Sequence, residues 1–147
     1  MKPFLLDVNV LVALFDRAHV DHEAVHRWFA TKGARRWATC PITENGLLRV
    51  VTNPAYPNLE VTATQVATHL EGLITNQPNH ERWPDDVSLT DRGLFALARI
   101  QGHRQLTDAY LLGLCHRHSG RLATLDRRIS ASCVVGGSAS LIELIGS

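Results

Sequence analysis

The chain has 147 residues, 20% charged and 45% hydrophobic, which sets a single domain over residues 1–147 as the expectation and leaves it able to bury a core without disulfides or a structural metal. Cys40, Cys115 and Cys133 are odd in number, far apart and form no C-x-x-C pair, so a disulfide scaffold and a zinc knuckle are excluded. Fifteen basic against 14 acidic residues give no net-charge argument for nucleic acid, and no apolar run nears the roughly 18 residues of a membrane helix; with no cleavage-site pattern near Met1, a cytoplasmic location and no membrane partner are expected.

Pro3 to Val8 reads as a buried strand feeding an apolar helix over Val10 to Phe15. His22 to Ala30 sets Val25, Trp28 and Phe29 at helical spacing, ended by Gly33. Trp37 to Cys40 is a strand closed by Pro41, after which Thr43 is expected to cap a helix carrying Leu47, Leu48, Val50 and Val51 until Asn53-Pro54 stops it. A loop over Pro54 to Glu60 leads to a helix over Ala63 to Thr75, with Val66, Leu70, Leu73 and Ile74 on one face. Asp85 to Leu89 reads as a short edge strand, and Asp91 to Gly102 as a helix through Leu94, Leu97, Ala98 and Ile100. Thr107-Asp108 opens an apolar helix through Leu114, Arg121 to Leu125 is a strand ending at Asp126, and Leu141 to Ile145 is the last strand. Strands alternating with helices predict a parallel sheet covered on both faces, a three-layer α/β domain.

In such a sheet ligands bind beyond the carboxyl ends of the strands. Asp7 and Asp126 each close an apolar strand pattern, and Glu44 and Asp108 stand in the first turns of helices that start at the same edge. Each alone has an ordinary reading, as a turn-forming Asp or a helix-start acid stabilised by the dipole. Together, four carboxylates at one rim would raise one another's pKa unless a cation neutralised them, and oxygen donors suit a hard divalent ion, Mg²⁺ or Mn²⁺. Acids with open water positions are a layout for hydrolysing a phosphodiester.

The segments Leu5-Leu6-Asp7-Val8-Asn9-Val10-Leu11, Thr43-Glu44-Asn45-Gly46, Leu106-Thr107-Asp108-Ala109-Tyr110-Leu111 and Thr124-Leu125-Asp126-Arg127-Arg128 resemble the four acidic motifs of the PIN-domain family. More narrowly, they resemble the toxin ribonucleases of VapBC toxin–antitoxin systems. The resemblance spans essentially the whole chain and implies a three-layer α/β/α fold with a central parallel sheet of about four or five strands. It also implies a Mg²⁺- or Mn²⁺-dependent endoribonuclease that cuts RNA by water attack to leave a 5′-phosphate and a 3′-hydroxyl. A homodimer and inhibition by a VapB-like antitoxin belong to the same implication. Carried over residue by residue, Asp7, Glu44, Asp108 and Asp126 match the catalytic and metal-holding acids, with Asp7 and Asp108 the firmest ligands. Thr124 matches a supporting small polar residue, and Asn9 stands where many members have Ser or Thr, close enough to Asp7 to support it in the same way.

Arg127 and Arg128 directly follow Asp126, so RNA phosphate contact competes there with a solvated turn. His22 and His26 share a helix face, with His19 nearby, but no third ligand is evident and a surface or interface role is the expectation. His116 and His118 suit a helix end. Trp28 and Trp37 fall in apolar patterns, whereas Trp83 beside Pro84 is the better candidate for stacking on a base. Two other functions compete: a flavodoxin-like phosphoacceptor, which fits poorly because Lys2 and Lys32 are the only lysines, and a non-catalytic PIN-like RNA- or protein-binding module, against which the full set of acids counts.

Overall fold

The computed structural model describes residues 1–146. Its sheet has five parallel strands, β1 (Phe4–Leu6), β2 (Trp37–Thr39), β3 (His80–Arg82), β4 (Arg121–Thr124) and β5 (Ile142–Leu144), in the order β3-β2-β1-β4-β5. The helices are α1 (Val8–Phe15), α2 (His22–Thr31), α3 (Pro41–Thr52), α4 (Ala63–Asn76) and α5 (Leu106–Arg117).

Strand alternation divides the core into two layers. Phe4, Leu6, Trp37 and Ala123 face α1 to α4, packing with Val10, Leu11, Val25, Phe29, Leu47 and Val66. Leu5, Ala38 and Leu122 face the opposite side, where α5 contributes Leu111, Leu112, Leu114 and Cys115. Three layers result, as the alternation predicted. The chain leaves β1 in one direction to β2 and β3, then crosses through α5 to β4 on the other side of β1. The order therefore reverses between β1 and β4, and the carboxyl ends of those two strands are where such a sheet forms its ligand crevice.

Three expected elements differ. The edge strand is His80–Arg82, whereas Asp85 to Leu89 has no strand. A wholly polar tripeptide carries no apolar alternation to read; it is held by parallel pairing to β2 and by the Arg36–Glu81 ion pair at 2.6 Å. The helix expected over Asp91 to Gly102 is absent: the segment is a series of turns with one 3₁₀ turn at Leu97–Arg99. Tertiary contact outweighs its helical period. Phe95 is fully buried against α5 at Gly113, and the backbone bonds instead to the 131–135 segment, Ala96 N–H to Cys133 O at 2.8 Å and Val135 N–H to Leu94 O at 2.8 Å. Thr43 is the third residue of α3 and not its cap; Cys40 occupies the cap position, and its N–H donates to Thr43 Oγ1 at 3.1 Å. The last strand and the strand ending before Asp126 fall where expected.

Candidate active site

Asp7 follows β1 and caps α1. Its Oδ1 accepts from Val8 N–H at 2.8 Å and its Oδ2 from the Thr124 hydroxyl at 2.8 Å. The residue is only 6% exposed. Thr124, the last residue of β4, also accepts from Asn9 Nδ2 at 3.2 Å and from Asp126 N–H at 3.1 Å, while Asn9 Oδ1 accepts from Leu125 N–H at 3.2 Å. A hydroxyl has one proton and two lone pairs, and all three are used here. Thr124 and Asn9 thus tie the ends of β1 and β4 together across the point of strand reversal.

Asp108 enters from the first turn of α5. Burial, then the charges of Asp7 and Asp126, push its pKa up to about 6. Burial also raises Asp7, against the lowering effect of the Thr124 and Val8 hydrogen bonds, with the Asp126 charge adding to the rise. Three of the four predicted acids therefore share one electrostatic environment. Glu44, in the first turn of α3, is turned toward β2 and β3: its Oε2 accepts from Thr39 Oγ1 at 2.6 Å and from Arg82 Nε at 3.3 Å. Among the described residues no three His, Cys, Asp or Glu groups are gathered tightly enough to chelate an ion as they stand. The donor chemistry nonetheless fits a hard divalent cation, since the groups are carboxylates whose mutual repulsion a cation would relieve.

Beside Asp108 and Asp126 lies a cavity of about 390 Å³ walled by Arg99, Arg104 and Arg128. Arg99 is oriented by a bond from Nη1 to Ser132 O at 3.1 Å. Among the described residues none of these guanidiniums pairs with a carboxylate. Arg99 and Arg104 were not legible as site residues, because Arg99 lies in a segment whose period reads as an ordinary helix and Arg104 in the short link after it, with no motif around either. Of the two arginines singled out in sequence, Arg128 lines the cavity, whereas Arg127 Nη2 donates to Gly146 O at 3.0 Å.

The expectation for Trp83 is corrected: it is 3% exposed, belongs to the α5-side core and stacks on His118 with ring centroids 4.5 Å apart. His22 and His26 do share a face, 5.7 Å between centroids, but His22 Nδ1 lies 2.7 Å from Ala13 O and His19 Nδ1 accepts from Asp21 N–H. Trp37 and the three cysteines are buried, as expected.

The PIN domain family model matches residues 4–133. The chain is 42% identical to ribonuclease VapC44 of Mycobacterium tuberculosis over 134 residues, which is 91% of this chain and 93% of that protein. It is 38% identical to ribonuclease VapC39 of the same organism over 141 residues, 96% of this chain and 98% of that protein. Among solved structures it is similar to M. tuberculosis VapC20, described as a sarcin–ricin loop cleaving toxin, with a TM-score of 0.59, 12% identity and coverage of 83% of this chain and 87% of that one. At that identity the likeness is one of fold.

Proposed function

Because this chain belongs to the PIN-domain family, and its curated relatives are VapC ribonucleases, we infer that it is an RNA-cleaving toxin that acts as a divalent-metal-dependent endoribonuclease. The observation that carries this reading is the joining of Asp7, Asp108 and Asp126 at the strand reversal, beside a cavity walled by arginines that pair with no carboxylate among the described residues. Asp7 and Asp108 would hold Mg²⁺ or Mn²⁺, with Asp126 and Glu44 completing the acid set. Bound there, the ion supplies Lewis-acid activation of water and charge neutralisation at the scissile phosphate. Thr124 and Asn9 keep the Asp7 carboxylate in one orientation, and Arg99, Arg104 and Arg128 bind the flanking phosphates through guanidinium forks. Arg127, whose guanidinium donates to Gly146 O, would contact RNA outside that cavity. The segment that enters is a single-stranded part of a folded RNA.

The partner reading follows from the other side of the sheet. A groove of about 900 Å³ between α1, α2 and α4 is lined by the half-buried Leu14, Phe15 and Leu73 over the buried Leu11 and Leu70, a surface suited to the apolar face of a VapB-like tail that folds on binding. Such a tail would deliver Arg or Lys to the acids and exclude the cation. A homodimer is also proposed; Leu97, Leu106 and Val135 are exposed on the α5 side and are the apolar surface that pairing would cover.

The test is cleavage of total RNA by the purified chain with Mn²⁺, with chelator, and after Asp7→Asn. Cleavage is expected only in the first case, with the variant folded. Cleavage that survives both chelator and Asp7→Asn would overturn the assignment in favour of a different hydrolytic site.

A further inference from the structure

Thr39, the last residue of β2, is fully buried, and its hydroxyl oxygen lies 2.6 Å from Glu44 Oε2 and 2.7 Å from His80 Nε2. A threonine hydroxyl has one proton to give. An ionised carboxylate only accepts, so that proton goes to Glu44 and the imidazole must donate to Thr39. The geometry is thus a directed chain, from His80 Nε2–H to Thr39 Oγ1 and from Thr39 O–H to Glu44 Oε2.

Strand register builds it. His80 pairs with Trp37 and Arg82 with Thr39, which sets all four side chains on the face of the sheet that α3 covers. The His80 ring is held edge-on to the fully buried Trp37, 4.5 Å between centroids. Arg82, exposed, reaches the same Glu44 oxygen. Every hydrogen bond to the Glu44 side chain among the described residues lands on Oε2, and Oε1 has no protein donor.

We propose that Thr39 and His80 are positioning residues of the acid site, holding Glu44 by Oε2 so that Oε1 is the oxygen offered to the divalent cation. A hydrogen bond to a ligating carboxylate orients it and is worth 10–100-fold in metal affinity. Here a buried hydroxyl and an imidazole locked by Trp37 supply that orientation, so the exposed Arg82 need not. The inference rests on the cation site proposed above, and the experiment separates the two.

In metal-free protein, the tautomer of His80 is read from long-range ¹H–¹⁵N correlations of its ring and is expected to be Nε2–H; an Nδ1–H ring overturns the chain. Mn²⁺ affinity is then measured without RNA from the paramagnetic signal of the free ion. Thr39→Val and His80→Phe are expected to weaken binding about 10-fold. Thr39→Ser, which restores the hydroxyl, and His80→Gln, whose amide places an N–H near the Nε2 position, are expected to stay near wild type. Wild-type affinity in a folded Thr39→Val protein, or equal losses in the Val and Ser variants, overturns the proposal, because a merely structural hydrogen bond would change stability without that pattern. If Asp7→Asn leaves Mn²⁺ affinity unchanged, the cation site itself fails and the proposal fails with it; if only Asp7→Asn weakens binding, the positioning role alone is lost.

Discussion

Asp108 shows how burial and like charge leave a measurable mark on one residue. Its pKa of about 6 lies above the 3.8 of a free carboxyl, so the charged form is disfavoured in the metal-free fold. The penalty is absent below about pH 3.8, grows as pH rises, and is complete above about pH 6. Asp108→Asn is therefore expected to stabilise the metal-free protein by about 1–2 kcal/mol at pH 7, after allowance for solvent screening. Urea titrations in chelator should show that gain shrinking to nothing by pH 3.5. Mn²⁺ affinity of the wild type should rise with pH through the same window, because the ion and the proton compete for these oxygens. Thr124 gives a second test. Thr124→Val removes one donor bond to Asp7 and two accepted bonds, from Asn9 and the Asp126 N–H, and should cost about 1–3 kcal/mol in urea unfolding. It should also lower single-turnover cleavage about 10–100-fold, with Thr124→Ser close to wild type.

At the level of elements, two glycines set how closely helices approach. Gly113 of α5 lies under the Phe95 ring, and Gly46 of α3 lies against Val8 at the start of α1; a Cβ at either would overlap those side chains. Alanine is favoured over glycine inside a helix by about 1 kcal/mol. At Gly113 the clash decides the sign, because Phe95 is fully buried and its backbone is pinned to the 131–135 segment. Gly113→Ala is expected to destabilise by about 1–3 kcal/mol, measured by denaturant midpoint at constant m-value. The same contact explains why Asp91 to Gly102 is not helical. Phe95 and Leu94 earn their burial as a plug over α5 in an irregular segment, and that segment in turn aims Arg99 into the cavity.

For the whole molecule, a formal net charge of +1 gives RNA little general attraction, so electrostatic recognition must come from where the arginines stand. With cleavage silenced by Asp7→Asn, binding of a single-stranded RNA should weaken as salt rises. Replacing Arg99, Arg104 and Arg128 together by Ala should flatten the slope of log K against log salt by about 2, at roughly 0.7 per lost phosphate contact. Arg127→Ala, a residue tied to the carbonyl of Gly146, should change that slope less. An unchanged slope in the triple variant would place the RNA path elsewhere.

Four of the five strands, the five helices, the layered architecture and the places of Asp7 and Asp126 after strands and of Glu44 and Asp108 in first turns of helices were legible in the sequence. Buried parallel strands must be continuously apolar, and helix faces must repeat at the helical period, so both leave local patterns. The acids stand out because each closes such a pattern or opens the helix after it. What could not be read is whatever depends on partners distant in the chain. β3 is polar and exists through pairing with β2; Phe95 abandons its helical period for a place over Gly113; Trp83, polar in its neighbourhood, is carried into the core beside His118. The same holds within the site, where only the folded chain brings Asp108 beside Asp7 and Asp126, turns Glu44 toward Thr39, and sets His80, 41 residues from Thr39, within hydrogen-bond reach of its hydroxyl. Local periodicity reports what a residue buries; it carries no record of which distant group it will meet, and that meeting is decided by tertiary packing.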